Sequence, residues 1–400
     1  MTPSSTMTAP PALDIDPFTP ENLCAPEAVQ EAIRETAPVV YLNRYEMYAV
    51  GRYDLVQTAL SDYARFTSAG GIGMSDIRKP GAWRTPSPIA EIDPPEHRDV
   101  RKTLQKVLSP IVIRQWREDF TRVAEAQADA IIGSGSVEAM KDIVEPFILK
   151  VFPDALGIDM PRDAFPLIGE MNFNQIGPNN ELTRKSIEAA GPHLENYEQY
   201  FSRESMVKGG FGEKIYAAED EGGFPAGTAG VQVRSFLRAG TDTTIAGIGH
   251  TLYRLAQNPE QWAKLKENPA KAKAAFDEAI RLDSPSQLIH RTTVADMEVE
   301  GLALKGDVKV GCFIGAANLD PRKFPDPTAY DIDRGSTGVH LALGAGSHIC
   351  IGQNIARLEA EILLQALVSR LSRIELDGEA TYRPINTLRT LERLPLRLVA

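Results

Sequence analysis

The chain has 400 residues, a formal net charge of −11 at pH 7 and three cysteines. This surplus of acidic groups disfavours nucleic acid as a partner, because phosphates repel carboxylates. Cys24, Cys312 and Cys350 are too few and too widely spaced for a disulfide framework and suit a reducing cytoplasm. No stretch reaches the roughly 18 uninterrupted apolar residues of a membrane span. These features predict a soluble cytoplasmic protein with neither nucleic acid nor a membrane as partner.

The pattern of the chain predicts a mainly α-helical fold with a minor β region. No repeat or long linker divides residues 21–400, which are predicted to form a single domain after a flexible Ser-, Thr- and Pro-rich leader over residues 1–20. Residues 61–92 are rich in Gly and Pro, lack periodicity and are typical of a functional loop. The other predicted elements are helices at 27–36 and 53–60, strands at 39–42 and 47–50, helices throughout 97–282, a hairpin of 299–304 with 308–311 around Lys305-Gly306-Asp307, and strands and turns over 374–400.

The most informative segment is Gly344-Ala345-Gly346-Ser347-His348-Ile349-Cys350-Ile351-Gly352, which precedes a predicted amphipathic helix over residues 353–371. Glycines allow a tight turn and the close approach of a flat molecule. Because the sulfur of Cys350 lies at the start of a helix, unpaired N–H groups and the helix dipole are expected to favour its thiolate. A thiolate held in this way is a good axial ligand for haem iron. On this segment alone, a small buried cysteine in a glycine-rich turn is the simpler interpretation.

The segment from His340-Leu341-Ala342-Leu343-Gly344 to Cys350, with Gly352, Ala356, Arg357 and Glu359 beyond it, resembles the haem-ligand loop of the cytochrome P450 family. The resemblance covers the chain from about residue 20. It implies the P450 fold, haem b (iron protoporphyrin IX) bound through Cys350 with Gly352 beside it, and dioxygen as co-substrate. Leu343 departs from the family, which usually carries an aromatic residue there. This departure concerns the redox tuning of the haem rather than its ligation.

Residues 236–249 belong to an apolar predicted helix that contains three glycines and a run of threonines. Each interior glycine costs roughly 0.5–1 kcal/mol relative to alanine, so we expect either a close approach to this helix or a local distortion of it. The motif Ala239-Gly240-Thr241-Asp242-Thr243 resembles the oxygen-activation motif of the family. The resemblance implies that the Thr243 hydroxyl steadies dioxygen and that Asp242 links it to solvent protons. A threonine-rich helix packed in the core is the alternative.

Glu278 and Arg281 are three residues apart on one face of a predicted helix. Such pairs are common on surfaces, but the apolar neighbours of this one suggest burial, which requires further partners. The resemblance implies a structural lock in which Arg334 joins the pair and holds the scaffold of the cysteine segment.

Cationic side chains on the helix that begins near residue 97 lie on two faces. His97 and Arg101 share an otherwise inward face, which suggests a buried anion. The resemblance implies that this anion is the haem propionates, with Arg291 and His348 as further ligands. The second face, formed by Arg98, Lys102 and Lys106, is either a solvated surface or a dock for an acidic ferredoxin. No flavin or nicotinamide fingerprint is present, so electrons are expected from a separate ferredoxin and ferredoxin reductase.

The substrate pocket is predicted from the loop over residues 61–92, the middle helices, the threonine-rich helix and residues 287–289 after the helix of Glu278. The candidate substrate-binding residues are Arg84, Ser87, Phe173, Ile176, Arg234, Ser235, Arg238 and Ala239. These segments resemble those of bacterial P450s that demethylate para-methoxybenzoates, whose carboxylate lies against Ser and Arg residues. Arginine suits a carboxylate because it can bind both oxygens. Arg238 stands where that subgroup tends to have a small polar residue, which implies a tighter and more cationic pocket. Alternatively, these arginines bind propionates, surface acids or helix ends.

The predicted function is therefore oxidation of a small aromatic carboxylic acid, such as a para-substituted benzoate, by O-demethylation or hydroxylation. One alternative within enzymes is a P450 for a terpenoid or fatty acid, possibly driven by peroxide. The presence of Asp242 and Thr243 favours dioxygen chemistry over peroxide. The alternative of another class is a non-catalytic haem sensor or electron carrier, which would need an output domain or a second axial ligand.

Overall fold

The computed structural model describes residues 8–82 and 86–400. It is mainly α-helical with a minor β portion, which confirms the predicted fold class. The helices are α1 (Pro20–Cys24), α2 (Glu27–Thr36), α3 (Tyr53–Ser61), α4 (Glu96–Val107), α5 (Pro110–Ile131), α6 (Glu145–Leu156), α7 (Ala164–Ile176), α8 (Glu181–Ala190), α9 (Phe211–Asp220), α10 (Ala229–Gln257), α11 (Pro259–Glu267), α12 (Ala272–Asp283), α13 (Ile314–Asn318) and α14 (Gln353–Val368). The observed bounds of α2 are the predicted ones, and α3 ends one residue later than predicted.

The strands are β1 (Ala12–Leu13), β2 (Val40–Leu42), β3 (Met47–Val50), β4 (Phe66–Thr67), β5 (Ser136–Glu138), β6 (Leu288–Thr293), β7 (Met297–Val299), β8 (Leu302–Leu304), β9 (Lys309–Phe313), β10 (Arg373–Leu376), β11 (Thr381–Pro384), β12 (Arg389–Arg393) and β13 (Pro395–Val399). The largest sheet has the order β1-β2-β3-β9-β6-β4. Its β1–β2 and β3–β9 pairs are parallel and the others antiparallel. The smaller sheets are β10-β13-β5, β11-β12 and β7-β8.

The predicted hairpin of residues 299–304 with 308–311 is wrong. The chain instead turns at Glu300 and Gly301, so that β7 pairs with β8. Both turn residues have positive φ, 49° and 81°, as a two-residue hairpin turn of type I′ requires. Strand β9 is buried along its whole length and pairs with β3 and β6. Burial of β9 in the central sheet is therefore more favourable than pairing of β9 with β8.

The beginning of the described chain differs from the predicted flexible leader. Strand β1 pairs in parallel with β2, and Phe18 is buried in a cluster with Val29 and Ile33. Residues 12–20 are thus part of the fold, because removal of apolar side chains such as that of Phe18 from water is favourable. The first seven residues of the predicted leader lie outside the described residues.

Helix α10 runs through the core for 29 residues and packs against α6, α7, α9, α12 and α14. The predicted local distortion is not observed, since the helix is continuous from Ala229 to Gln257. The predicted close approach does occur, and core side chains make it: Phe152 at Gly240, Phe276 at Gly247, and Met140 at Gly249. The glycines therefore allow tight packing around the helix.

Helix α12 carries a buried ionic network. The Glu278 side chain is 1% exposed, and it accepts hydrogen bonds from Arg281 at 2.8 and 2.9 Å. Arg334 Nε donates to the same carboxylate at 2.8 Å, and the Ser336 hydroxyl donates to it as well. Arg281 also donates to the carbonyl oxygen of Asn318 at 2.9 Å. The structure thus places together the three residues that the resemblance implied for the structural lock.

The neighbouring residue Asp277 forms a second network that the sequence did not predict. Its carboxylate accepts hydrogen bonds from Thr337 at 2.5 Å and from Arg357 Nε at 2.9 Å, with His340 Nε2 at 3.3 Å. Although burial alone would raise it, these hydrogen bonds hold the pKa of Asp277 below its usual value. Thr337 and His340 precede Cys350 and Arg357 follows it, so α12 anchors both sides of the cysteine segment.

Replacing Glu278 with Gln is expected to destabilise the protein by about 3–5 kcal/mol, because a buried charge loses its partner. Arg281 is fully buried and would retain a guanidinium without the matching carboxylate. The free energy of unfolding from denaturant titration checks this. Glu298→Gln, at an exposed position on β7, is the matched control. A loss of less than 1 kcal/mol for Glu278→Gln, compared with this control, would contradict the structural role.

Candidate functional site

A cavity of about 300 Å³ lies between α10 and the cysteine loop, residues 344–352. Cys350 and His348 border it from the loop, and Thr243 borders it from α10. The predicted substrate-binding residues that also line it are Ser87, Phe173, Ile176, Arg234, Ser235, Arg238 and Ala239. The structure therefore brings together residues from three distant parts of the sequence. The remaining one of this set, Arg84, lies outside the described residues.

The cysteine loop has the backbone that its glycines predict. Gly344 and Gly346 have φ values of 77° and 64°, which side-chain-bearing residues rarely adopt. A Cβ atom at Gly346 would also lie 2.7 Å from the Cα atom of Ser61. The N–H group of Cys350 donates to the carbonyl oxygen of Leu343 at 2.7 Å. This turn holds the sulfur at the cavity wall, just before α14 begins.

The electrostatic prediction for Cys350 is wrong in its net direction. Burial raises the pKa of the thiol, while the N–H groups of Gly352 and Gln353 and the charge of Arg101 oppose that shift without reversing it. The reason is that the sulfur is enclosed in a medium of low dielectric constant, where the charged form is poorly solvated. A metal cation deprotonates a thiol that coordinates it. A metal bound at this site would therefore favour the thiolate that burial disfavours.

Three basic side chains, those of His97, Arg101 and Arg291, lie close to His348. The His348 ring lies 4.0 Å from the His97 ring, centroid to centroid. Burial, together with the charges of Arg291 and Arg101, lowers the pKa of His348 to about 3. Arg291 is 3% exposed, and neither ring nitrogen of His97 has a hydrogen-bond partner within the described residues. Buried cations and unsatisfied ring nitrogens beside a cavity suit a ligand with anionic side groups.

Thr243 and Asp242 face different spaces. The Thr243 hydroxyl borders the large cavity and donates to the carbonyl oxygen of Ala239 at 2.7 Å. Asp242 borders a separate cavity of about 30 Å³, together with Glu145, Glu170 and Arg383. Two adjacent residues of α10 thus border two different cavities, and the smaller one has charged groups in its wall.

Asp242 is held in an unusual environment. Burial raises the pKa of its carboxyl group to about 7, with Arg383 lowering it and Glu145 raising it by smaller amounts. The carboxylate occupies the space beside Gly169, where a Cβ atom would collide with both of its oxygens. An acid with this pKa can both release and accept a proton near neutral pH. Sequence reasoning found Asp242 but missed Gly169, Glu145, Glu170 and Arg383, which carry no local motif.

Ile72, Pro86, Ser87 and Ala90, from the loop over residues 61–92, line one side of the large cavity. The N–H groups of Ser87 and Ile72 donate to the Glu91 carboxylate at 2.7 and 2.9 Å. The N–H group of Met74 donates to the carbonyl oxygen of Ile176 at 2.9 Å, which ties the loop to α7. Sequence reasoning missed Ser286 and Thr387 in the lining. Thr387 comes from the segment between β11 and β12. Its hydroxyl donates to the Phe173 carbonyl oxygen at 2.7 Å, and its carbonyl oxygen accepts from the N–H group of Gln287 at 3.1 Å.

A half-buried cysteine at the cavity wall, a glycine-rich loop and the group of basic side chains around His348 fit a cysteine-ligated haem protein. Cys350 would hold the haem iron through its sulfur, and His97, Arg101, Arg291 and His348 would hold the carboxylates of the cofactor.

The comparisons with known proteins agree with this class. The family model described as Cytochrome P450 matches residues 211–391. The chain is 42% identical to Cytochrome p450 CYP199A2 of Rhodopseudomonas palustris, over 99% of this chain and 97% of that protein. It is 28% identical to Cytochrome P450-terp of a Pseudomonas species, over 77% of this chain and 76% of the other. The structure of CYP109Q5 from Chondromyces apiculatus matches with a TM-score of 0.80 and 30% identity, over 97% of this chain and 98% of that one.

The chain belongs to the cytochrome P450 family. It is accordingly a monooxygenase with cysteine-ligated haem b as cofactor and dioxygen as co-substrate, and it acts on a small molecule with electrons from redox partners. The family assignment favours an enzyme over the haem sensor or electron carrier considered above. Within residues 8–82 and 86–400, no helix has both the length and the apolar character needed to cross a membrane.

Proposed function

We propose that this P450 oxidises small aromatic carboxylic acids, with removal of the O-methyl group of para-methoxybenzoates as the reference reaction. The observation that carries this proposal is that Arg234, Arg238 and Ser87 share one cavity with Thr243 and Cys350. The rest of the wall is largely apolar, with Phe173 and Ile289 among its members. Guanidinium groups in an apolar pocket favour a substrate that is both apolar and anionic, because a low dielectric strengthens the attraction between charges.

The proposed roles of the chain's own residues follow from their positions. Cys350 binds the metal, and His97, Arg101, Arg291 and His348 bind the two propionates of the cofactor. When bound, the haem supplies the oxidising chemistry.

Proton transfer is assigned to the two adjacent residues of α10. The Thr243 hydroxyl turns from the Ala239 carbonyl oxygen, to which it donates in this structure, and donates a hydrogen bond to dioxygen in the large cavity instead. Asp242 then replaces the proton that Thr243 gives up, because its pKa of about 7 suits transfer in both directions. That proton comes from the side of the cavity that Glu145 and Glu170 line.

Electrons are proposed to come from a ferredoxin and its reductase in the cytoplasm. Arg98, Lys102 and Lys106 are all exposed on α4, on the side opposite to the buried His97. Such a basic stripe on a protein of net charge −11 gives an acidic partner a specific place to dock. The three cysteines are free, which is consistent with a reducing compartment.

Titration of the ferric protein with para-methoxybenzoate and with its methyl ester tests the substrate class. We expect the acid to shift the haem Soret band from low to high spin with a Kd about 10–100-fold lower than that of the ester, because a charge-assisted hydrogen bond contributes about 1.5–3 kcal/mol. The ester is the matched neutral control. A shift with the ester alone, or with neither compound, would contradict the aromatic-acid assignment and favour a terpenoid or fatty acid.

A further inference from the structure

An open groove on the protein surface lies next to the small cavity that Asp242 borders. The groove has a volume of about 260 Å³ and is formed by the beginning of α6, the turn before α6 and the segment before α7. Its lining residues are Lys141, Glu145, Pro146, Leu149, Lys150 and Arg162. Because Lys141, Pro146 and Lys150 are exposed, bulk water reaches this groove.

Two residues border both the groove and the small cavity, namely Glu145 and Leu149. Since the side chain of Leu149 is apolar, Glu145 is the one of the two that can carry a proton. Its side chain is half-buried, as expected for a group with solvent on one side and an interior cavity on the other. A π-helical turn, Met140–Val144, comes directly before Glu145, and such turns are frequent at functional sites.

The small cavity can pass a proton from one carboxyl group to another. Its volume of about 30 Å³ is sufficient for a water molecule, and Glu145, Glu170, Arg383 and Asp242 offer that water polar partners. Burial is the main cause of the raised pKa of Asp242, and of the two glutamates Glu145 contributes more to it. Glu145 is therefore the acid that is coupled more strongly to Asp242.

The charged groups around Glu145 come from several elements. Burial raises the pKa of its carboxyl group, and Arg383 on β11 opposes that shift without reversing it. Glu138 on β5 and Lys141 in the π-helical turn have smaller effects of opposite sign. The carboxyl group therefore holds its proton closer to neutral pH than an ordinary glutamate does, as a proton carrier requires. The other charged groups that border the same two spaces are Glu170 on α7, Asp242 on α10, Lys150 on α6 and Arg162.

Glu170 is the rival carrier, because its side chain is 32% exposed. It borders the small cavity but not the groove, and its carboxylate lies 3.7 Å from Arg383 Nη1 in an ion pair. A proton on Glu170 would remove the charge that Arg383 pairs with. Glu145 forms no ion pair with any residue in the described ranges 8–82 and 86–400, so its protonation breaks none.

We propose that Glu145 is the residue through which protons enter from solvent and reach Asp242. This inference rests on the proton-transfer role proposed for Asp242 and adds the step that precedes it. Glu145 gives its carboxyl proton, through water in the small cavity, to the Asp242 carboxylate. It then takes a proton from water in the groove and returns to its starting state, so that one proton has moved inward and no other reactant is consumed.

Glu145→Gln is expected to lower the rate of product formation by about tenfold. This is less than the roughly 100-fold contribution of a positioned acid, because water still reaches the groove. The ratio of the rates in H₂O and D₂O is expected to rise, since proton entry becomes the slow step, whereas a purely structural defect would leave this ratio unchanged. Glu145→Asp keeps a carboxyl group and should recover most of the rate. Glu188→Gln, at an exposed position on α8, is the matched control.

Infrared spectra of the ligand-free protein give a second readout that needs neither substrate nor turnover. The absorption of the protonated Asp242 carboxyl group is identified by its loss in Asp242→Asn. In Glu145→Gln this absorption should disappear at a lower pH than in wild type, because the negative charge that helps to raise the pKa of Asp242 has been removed. An unchanged titration of this absorption overturns the proposal, whatever compound the enzyme oxidises.

The kinetic comparison also has outcomes that contradict the proposal. It is overturned if Glu170→Gln slows product formation and raises the isotope ratio while Glu145→Gln does neither, because protons would then enter beside Arg383. A slow Asp242→Asn protein together with an unaffected Glu145→Gln protein contradicts the role of Glu145 alone. If Asp242→Asn also keeps the wild-type rate and isotope ratio, the broader proton-transfer assignment fails together with this one.

Discussion

Replacing Cys350 with serine is expected to remove the red-shifted Soret band of the reduced, carbon monoxide-bound protein. Turnover should also fall. Substitution of residues that only support the direct ligands of a metal lowers activity by roughly 10–100-fold, and loss of the ligand itself should lower it further. The reason is that a serine hydroxyl does not supply the electron-rich sulfur that characterises this ligation. The sulfur of Cys350 is the one that borders the cavity shared with Thr243 and His348. Difference spectroscopy of the reduced protein measures this directly.

The other two cysteines provide matched controls. Cys312 is fully buried in β9, and burial raises the pKa of its thiol to about 12. Cys24 lies at the end of α1, where its sulfur contacts the Tyr382 carbonyl oxygen at 3.4 Å. Cys312→Ala and Cys24→Ser should both keep the red-shifted band. Retention of the band in Cys350→Ser, or its loss in Cys312→Ala with haem still bound, would show that the ligand had been wrongly assigned.

Replacing Asp242 with asparagine is expected to lower the rate of product formation by about 100-fold or more, the usual contribution of a positioned acid or base. The amide fits the same space beside Gly169 but cannot carry a proton between the polar cavity and Thr243. NADPH that is still consumed should then appear as hydrogen peroxide instead of product. Product and peroxide are quantified in the same reaction. Asp54→Asn, on the exposed face of α3, is the matched control.

The pH dependence of Asp242 has a definite sign. Its pKa is raised from 3.8 to about 7 by burial, with Glu145 and Glu170 adding to the shift and Arg383 opposing it. The folded protein therefore binds this proton more tightly than the unfolded chain, and the resulting stability is present at about pH 4 and lost as the pH rises through about 7. Asp242→Asn should accordingly raise the melting temperature relative to wild type at about pH 8 but not at about pH 4. Equal differences at both pH values would contradict the buried, protonated carboxyl group.

The wild-type rate should follow the same ionisation. Product formation is expected to decline above about pH 7 as Asp242 loses its proton, whereas the slow Asp242→Asn reaction should show no such decline. An unchanged pH profile in the variant would remove Asp242 from the proton path.

The parts of the fold that local pattern determines could be predicted from the sequence. Helix α2 was predicted with its observed bounds because its apolar positions follow a helical period. The glycines of the cysteine loop predicted a tight turn. Gly344 and Gly346 indeed have the positive φ values that only glycine adopts readily. The spacing of Glu278 and Arg281 predicted that they share a helix face, and the structure pairs them.

The parts that were missed depend on contacts between distant segments. Nothing in the sequence around Gly169 indicates that the Asp242 carboxylate lies where a side chain at position 169 would be. The hairpin prediction failed because the neighbouring strands prefer other partners, and strand pairing over long distances leaves no local signal. The pKa of Cys350 was predicted in the wrong direction for the same reason. A helix dipole is a local property, whereas burial is a property of the whole fold.

The most direct test of the proposed function is turnover of para-methoxybenzoate by the purified holoenzyme with ferredoxin, ferredoxin reductase and NADPH. Insertion of one oxygen atom into the methoxy C–H bond forms a hemiacetal that collapses to a phenol and an aldehyde. We predict equal amounts of para-hydroxybenzoate and formaldehyde, formed in proportion to the NADPH consumed. NADPH consumption without either product, under conditions in which the acid shifts the Soret band, would contradict the assignment of this protein as an aromatic-acid O-demethylase.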